Sequence, residues 1–324
     1  MYVTEQISPE ATVHQLAPAA PAVQEVALVD VSNLLVQHDK GFSLRIPQLQ
    51  MFPGDMLAVL GANGSGKSTL LSCLFGCGAS FAGSVQLLGQ QQPGQLPLAH
   101  RHRLGVQWLG AGFNELYRVR EIQELHRRCY GRSDASVFEA FGVPELGKRR
   151  FGRLSSGEQQ RVQLAMALAH HPELVIFDEP TSNLDPHYED MLCRMLQQRH
   201  RAEPGFAALF VTHSSRVAKL CERVLLLDKG GVDEMGTLQA LVSKRFGRMG
   251  CRIVGQATQL DAAEVAFAGS DAVLNQHRSA HALTVYGAPS LRELAQAFLA
   301  QHEVEHFSLW RPGAADLLEG IKNV

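Results

Sequence analysis

The stretch GANGSGKST, residues 61–69, decides the fold. It matches the pattern G-x-x-x-x-G-K-S, continues the apolar run MLAVL, and leads into a segment that predicts a helix over residues 68–75. Glycines in such a loop let backbone N–H groups surround phosphate oxygens at the helix N-terminus, where the helix dipole favours anions. The predicted phosphate contacts are Gly61, Asn63, Gly64, Ser65, Gly66, Lys67, Ser68 and Thr69.

Two side chains of this loop have specific roles. Lys67 supplies positive charge to the β- and γ-phosphates, and the Ser68 hydroxyl is placed to ligate Mg²⁺. The alternative is a glycine-rich turn that matches by chance, and the strand before the loop and the helix after it argue against that reading. The sequence therefore predicts a site for ATP and Mg²⁺.

The second motif is LVIFDEP, residues 174–180. Its apolar run predicts a buried strand that carries Asp178 to the phosphate loop, where the carboxylate contacts the Mg²⁺ shell. Glu179 is placed to polarise the water that attacks the γ-phosphorus, which makes it the predicted catalytic base. A lone acidic pair is more often a solvated strand end, but this pair closes a buried strand downstream of the phosphate loop.

The third motif, LSSGEQQR at residues 154–161, begins a long helix that Pro172 stops. Taken alone it is only a helix cap. The order phosphate loop, LSSGEQQR, VIFDEP resembles the nucleotide-binding subunits of ABC transporters, whose LSGGQ signature is matched here as LSSGE. The resemblance implies that Ser155 and Gly157 bind the γ-phosphate of ATP held by a second copy of the chain or by a homologous ATPase subunit.

The same resemblance implies two further site residues. Asp185, in the run Ser-Asn-Leu-Asp at 182–185, corresponds to the D-loop that communicates across the dimer. His213, at the end of LFVTH, corresponds to the switch histidine that contacts the γ-phosphate, although a histidine at a strand end is usually just a polar terminus. Together with Lys67 and Glu179, His213 completes the predicted catalytic set.

The sequence departs from the family pattern at three points. Leu109 stands where a glutamine normally reaches Mg²⁺ and relays the state of the transport partner, and Gln107 is the candidate replacement metal ligand. The aromatic residue that stacks on adenine is missing, with His38 nearest to its position and Phe42 the other candidate. In the signature, Ser156 and Glu158 replace glycine and glutamine, which adds a side chain and a negative charge near bound phosphate. We expect reduced or regulated turnover with ATP binding intact.

Composition excludes several classes of function. The formal net charge is −2, from 30 basic and 32 acidic residues, which leaves no electrostatic footprint for nucleic acid. No apolar run approaches the ~20 residues that cross a bilayer, and the N-terminus lacks the features of a secretory signal. The six cysteines form no CxxC pair, which predicts reduced thiols, and the histidines at 100, 102, 170 and 171 are expected to be solvated rather than metal-bound.

These observations predict an α/β P-loop NTPase with a RecA-like parallel core, an antiparallel edge sheet and an inserted helical subdomain. The predicted boundaries are a flexible N-terminal extension (1–24), an ATPase domain (25–244) with its helical subdomain (about 105–172), and a C-terminal accessory α/β domain (245–324). The C-terminal run WRPGAADLLEG resembles the extension of ABC-2-type exporter subunits, which ends around RPSLEDVF. A generic accessory domain is the alternative interpretation.

The resemblance implies an ATP-hydrolysing subunit that dimerises on ATP and drives transmembrane permease subunits, with export favoured only by the C-terminal likeness. Such a protein is expected to be cytoplasmic and held at the inner face of the membrane by its permease. One alternative is a soluble ABC ATPase that acts on a non-membrane assembly scaffold. The other is a regulatory subunit that binds ATP with weak turnover, which Leu109 and the altered signature favour.

Overall fold

The computed structural model describes residues 26–38, 41–78, 80–94 and 96–322, which form one large sheet, one small sheet and the helices around them. The predicted N-terminal extension, residues 1–24, lies outside the described residues. In the described part of the chain, no helix has both the length and the apolar character needed to cross a membrane.

The elements of the larger unit follow in chain order. The first are β1 (Val29–Gln37), β2 (Ser43–Met51), β3 (Met56–Gly61), α1 (Lys67–Leu74), β4 (Phe81–Leu87), β5 (Gln90–Gln91), α2 (Leu98–Arg101) and β6 (Leu104–Gln107). A helical segment comes next, with α3 (Val119–Tyr130), α4 (Ala135–Ala140), α5 (Val143–Leu146), a 3₁₀ turn (Phe151–Arg153) and α6 (Ser156–Leu168). The unit closes with β7 (Leu174–Asp178), α7 (Pro186–Ala202), β8 (Ala207–Val211), α8 (Ser215–Ala218), β9 (Arg223–Asp228), β10 (Gly231–Thr237) and α9 (Leu238–Phe246).

The large sheet has the order β5-β4-β1-β2-β10-β9-β3-β8-β7-β6. Strands β9, β3, β8, β7 and β6 pair in parallel, whereas β1 pairs antiparallel with β2 and β4. Every residue of β3, β7 and β8 is buried, because helices cover both faces of the parallel part. This is the predicted parallel core with an antiparallel edge, and the carboxyl ends of β3, β8 and β7 lie side by side at one edge.

The smaller unit contains β11 (Met249–Val254), α10 (Ala257–Phe267), β12 (Val273–Arg278), β13 (Ala282–Gly287), α11 (Leu291–Leu299), β14 (His306–Trp310) and α12 (Ala314–Lys322). Its antiparallel sheet has the order β12-β13-β11-β14, so the chain follows the β-α-β-β-α-β path of a split βαβ fold. The sequence did not predict β12, because its central residues are polar and exposed. The expected boundary at residue 244 falls inside α9, and the smaller sheet begins only at β11.

One histidine that was expected to be solvated is instead buried. His170 is buried between α3 and β6, where its Nε2 lies 3.0 Å from the Leu104 carbonyl oxygen. Its ring stacks on Tyr130 at 3.9 Å, and burial lowers its pKa to about 4. His171 instead contacts the Asp134 carboxylate, 2.9 Å away. All six cysteines are free thiols.

A buried carboxylate joins the last helix to the smaller sheet. Asp316 of α12 accepts hydrogen bonds from Tyr286 Oη (2.9 Å), Trp310 Nε1 (2.8 Å) and the Gly313 backbone N–H (2.8 Å). On the same helix, Leu317 and Leu318 are buried in the core cluster of the larger unit. Helix α12 therefore holds the two units together.

We predict that Asp316→Ala lowers the free energy of unfolding by about 2–4 kcal/mol, because three donors lose their acceptor. Urea unfolding followed by circular dichroism measures the change as a shift of the midpoint. Glu319→Ala, at an exposed carboxylate on the same helix, is the control and is expected to stay within about 0.5 kcal/mol of the wild type. Equal midpoints for the two variants would contradict the assigned role of Asp316.

Candidate nucleotide-binding site

The phosphate loop joins β3 to α1 and requires glycine at defined positions. Gly64 and Gly66 have φ angles of 80° and 109°, in the left-handed region that disfavours other residues. A Cβ atom at Gly66 would lie 2.7 Å from Leu44 Cδ1, and one at Gly61 would lie 2.4 Å from the Leu227 carbonyl oxygen. The loop therefore folds tightly over the sheet, with the N-terminus of α1 at its end.

Lys67 is the first residue of α1, and its side chain extends back to the start of the loop. Its Nζ donates to the carbonyl oxygens of Gly61 (2.8 Å) and Ala62 (3.0 Å). Burial lowers the pKa of Lys67, and the nearby Glu179 and Asp178 carboxylates oppose that shift. The ammonium group thus stands beside both acids that the sequence selected.

Asp178 ends β7 and is, like Ser68, one of the side chains predicted to hold Mg²⁺. Burial raises its pKa, while the backbone N–H of Leu109 and the charge of Lys67 lower it. Within the described residues, no three His, Cys, Asp or Glu side chains are grouped to hold a metal ion. One hydroxyl and one carboxylate fit Mg²⁺, which takes few protein ligands and completes its shell with water and substrate phosphates.

Glu179 and His213 face each other across the ends of β7 and β8. The Glu179 carboxylate accepts a hydrogen bond from the His213 backbone N–H at 3.2 Å, and its Oε1 lies 3.4 Å from His213 Nε2. Burial raises the pKa of Glu179, partly offset by the His213 N–H and by Lys67. The backbone of Glu179 has a φ of 50°, a conformation that non-glycine residues rarely adopt.

Gln160 supports that strained backbone, and the sequence did not predict this role. Its Nε2 donates to the carbonyl oxygens of Glu179 (3.2 Å) and Pro180 (3.0 Å), while the Glu179 N–H donates to Val211 (2.8 Å). Gln160 belongs to α6, the helix of the LSSGE motif. The only sequence signal for this role was the position of Gln160 within LSSGEQQR. Its two carbonyl partners lie about 20 residues further along the chain, and only the fold brings them together.

A cavity of about 910 Å³ brings most of the predicted residues together. Its lining includes the predicted residues Asn63, Gly64, Gly66, Lys67, Ser68, Thr69, Asp178, Glu179 and His213, with His38 and Phe42. The rings of His38 and Phe42 are 5.8 Å apart, so both candidates for the adenine contact stand on the same wall. Gly61 and Ser65 belong to the loop itself and lie outside the lining.

The structure does not bring Gln107 to this cavity. Gln107 ends β6 in register with Phe177 and is buried, whereas Leu109 lines the cavity and is exposed. Both polar side-chain atoms of Gln107 are buried without a hydrogen-bond partner among the described residues. Strand β6 continues through residue 107, so the interpretation of Gln107 as a metal ligand is not supported.

The signature residues lie outside the cavity, at the exposed N-terminus of α6. Ser155 is the N-cap, and its Oγ accepts a hydrogen bond from the Glu158 N–H at 3.3 Å. A Cβ atom at Gly157 would lie 2.6 Å from the Asn183 carbonyl oxygen, so this glycine lets the loop at 182–185 approach closely. Asp185 caps α7 by accepting from the His187 N–H at 2.9 Å.

Comparisons with known proteins identify the family of the chain. A family model described as ABC transporter matches residues 44–182. The lipoprotein-releasing system ATP-binding protein LolD of Coxiella burnetii is 34% identical over 205 residues, 58% of this chain and 87% of the relative. The hemin import ATP-binding protein HmuV of Pseudomonas fluorescens is 34% identical over 228 residues, 66% of this chain and 89% of the relative.

A third relative, the Nod factor export ATP-binding protein I of Rhizobium johnstonii, is 32% identical over 202 residues. These residues are 60% of this chain and 64% of the relative, so the chain spans less than two thirds of that protein. Among solved structures, the dimeric post-hydrolysis state of the ATP-binding cassette MJ0796 bound to ADP and Pi has a TM-score of 0.56 at 25% identity, over 65% of this chain and 98% of that one. The predicted fold class is confirmed.

Proposed function

The chain belongs to the ATP-binding proteins of the ABC transporter family, and from that membership we propose that it is the ATP-hydrolysing subunit of an ABC transporter. The observation that carries the proposal is the convergence of Lys67, Asp178, Glu179 and His213 on one cavity beside the phosphate loop. A cation, a metal-ligating carboxylate, a base and a γ-phosphate contact are the parts that phosphoryl transfer to water needs.

In the proposed reaction, Lys67 and the loop N–H groups hold the β- and γ-phosphates. Glu179 orients a water molecule and accepts its proton as the water oxygen bonds to phosphorus. The bond from the γ-phosphorus to the bridging oxygen breaks, ADP leaves with the electron pair, and His213 holds the γ-phosphate in line. Ser68 and Asp178 would hold Mg²⁺, which would supply neutralising charge at the phosphate oxygens.

We propose that two copies, or this chain and a homologous ATPase subunit, close around ATP. Ser155 and Gly157 of one copy then contact the γ-phosphate on the other, at the N-terminus of α6. Their position outside the cavity of their own chain is consistent with this role, and Asp185 ends the loop at 182–185 that packs on Gly157. Each site then requires residues of both copies, so a monomer is expected to be nearly inactive.

The proposed partners beyond the second copy are transmembrane permease subunits, which would hold the ATPase at the inner face of the membrane. The proposed domains are an ATPase domain over 25–244, with its helical subdomain over about 105–172, and an accessory domain over 245–324. The relatives include export and import proteins, so export rests only on the C-terminal likeness. A regulatory subunit with weak turnover is the second candidate, because Leu109 lines the cavity where the family has glutamine.

Light scattering during gel filtration tests the proposal. A Glu179→Gln variant, which blocks cleavage, should double its mass with Mg-ATP and remain monomeric with Mg-ADP. Purification in detergent should also recover a hydrophobic multi-span subunit with the wild-type chain. A variant that stays monomeric at saturating Mg-ATP would refute the proposed ATP-dependent dimer. Recovery of soluble partners alone would favour the alternative of a soluble ATPase that acts on a non-membrane assembly scaffold.

A further inference from the structure

The signature contains an acid at the point where the proposed function needs to bind an anion. Glu158 is the third residue of α6, and its Oε2 accepts a hydrogen bond from the Ser155 backbone N–H at 2.8 Å. Ser155 returns a bond to the Glu158 N–H, so the two residues form a capping box. The carboxylate therefore occupies the helix N-terminus that would face the γ-phosphate bound by the second copy.

Two anions at one helix N-terminus repel each other, and closure of a dimer would remove the water that screens them. Burial opposes ionisation of Glu158, but the Ser155 N–H and the Arg149 guanidinium together hold the pKa of that carboxyl below its usual range. Glu158 is consequently ionised at neutral pH. The charge has to be neutralised within the chain for the signature to accept phosphate.

Arg149 is placed to neutralise it. Its Nη1 lies 2.5 Å from Glu158 Oε1, and its Nη2 donates to the Arg153 carbonyl oxygen at 2.8 Å. One guanidinium thus contacts both the carboxylate and the backbone turn that leads into the signature. Because the guanidinium is planar and always charged, it holds this geometry better than a lysine would.

We propose that Arg149 is a positioning residue that neutralises Glu158 and fixes the turn before the signature, so that the N-terminus of α6 can bind the γ-phosphate held by a second copy. The proposal rests on the dimeric ATPase function above. It explains how a signature that ends in glutamate rather than glutamine remains compatible with a phosphate ligand.

A double-mutant cycle tests the proposal, with every variant carrying Glu179→Gln so that ATP is not consumed. We expect Arg149→Ala to raise the ATP concentration for half-maximal dimerisation by about tenfold or more, by leaving the Glu158 charge uncompensated. In the Glu158→Gln background the same change should cost less than about threefold, because glutamine preserves the capping box without the charge. Light scattering at a series of Mg-ATP concentrations measures both effects.

Arg150→Ala is the matched control, because it removes the same charge from the next, exposed residue, which has no hydrogen bond to Glu158 in the structure. It should behave like the parent, and thermal unfolding by circular dichroism checks that each variant is folded. Arg149→Ala dimerising like the parent, or an equal defect with and without Glu158→Gln, would overturn the proposal. A parent that forms no dimer would instead refute the proposed function itself.

Discussion

Glu179→Gln is expected to reduce the rate of ATP hydrolysis by roughly 10²–10⁴-fold, the range that a positioned general base contributes. The carboxylate is held against the His213 backbone N–H, and the other acid in the cavity lining, Asp178, is assigned to the metal ion. Release of phosphate under saturating Mg-ATP, with any partner subunits present, measures the change. Binding of ATP should persist, because the phosphate loop is untouched.

The control is Glu173→Gln, which removes an exposed carboxylate just before β7, at the far end of the same strand. Its rate should equal that of the wild type. If the wild type is as slow as Glu179→Gln, the enzymatic interpretation fails and the regulatory alternative gains support.

Burial of the Glu179 carboxylate predicts how the rate of ATP hydrolysis depends on pH. Hydrolysis needs ionised Glu179, and burial raises its pKa, so activity should fall on acidification at a pH above the ~4.3 of an ordinary glutamate. Activity is lost at this higher pH because a raised pKa leaves the Glu179 base protonated up to a higher pH. An acidic limb of kcat centred at or below the ordinary value would contradict the buried environment.

Lys67→Ala is expected to weaken ATP binding by about 10²-fold or more, since loss of one partner of a buried charged contact costs about 2–5 kcal/mol. The lysine is the basic side chain that the structure places between the phosphate loop and the two acids. Without its charge, Asp178 and Glu179 would repel the γ-phosphate. Calorimetric titration with Mg-ATP in the Glu179→Gln background measures the dissociation constant.

Lys219→Ala provides the comparison, because that lysine is exposed at the end of α8 and does not line the cavity. Its dissociation constant should match that of the parent. Unchanged affinity in Lys67→Ala would mean that the nucleotide is not held by the loop at 61–69, and the proposed site would have to be abandoned.

Local motifs made much of the site predictable. The phosphate loop, the two acids after β7 and His213 after β8 each follow a buried strand, and parallel strands bring their carboxyl ends to one edge. Hydrogen bonds between side chains and groups distant in the sequence were not predictable in the same way. The bonds from Gln160 to Glu179 and from Arg149 to Glu158 depend on how α6 and the preceding turn pack, which no residue spacing specifies.

By itself the sequence determined the phosphate loop, the two acids after β7 and the parallel core, because each depends on neighbouring residues and on strand order. Only the tertiary structure decided between Gln107 and Leu109, since β6 ends at the buried Gln107 and the chain then turns, so that Leu109, two residues later, lines the cavity. It also decided the split βαβ path of the smaller unit, whose exposed strand β12 has no apolar pattern. Contacts between distant segments arise from packing, and packing is fixed only when all the elements are in place.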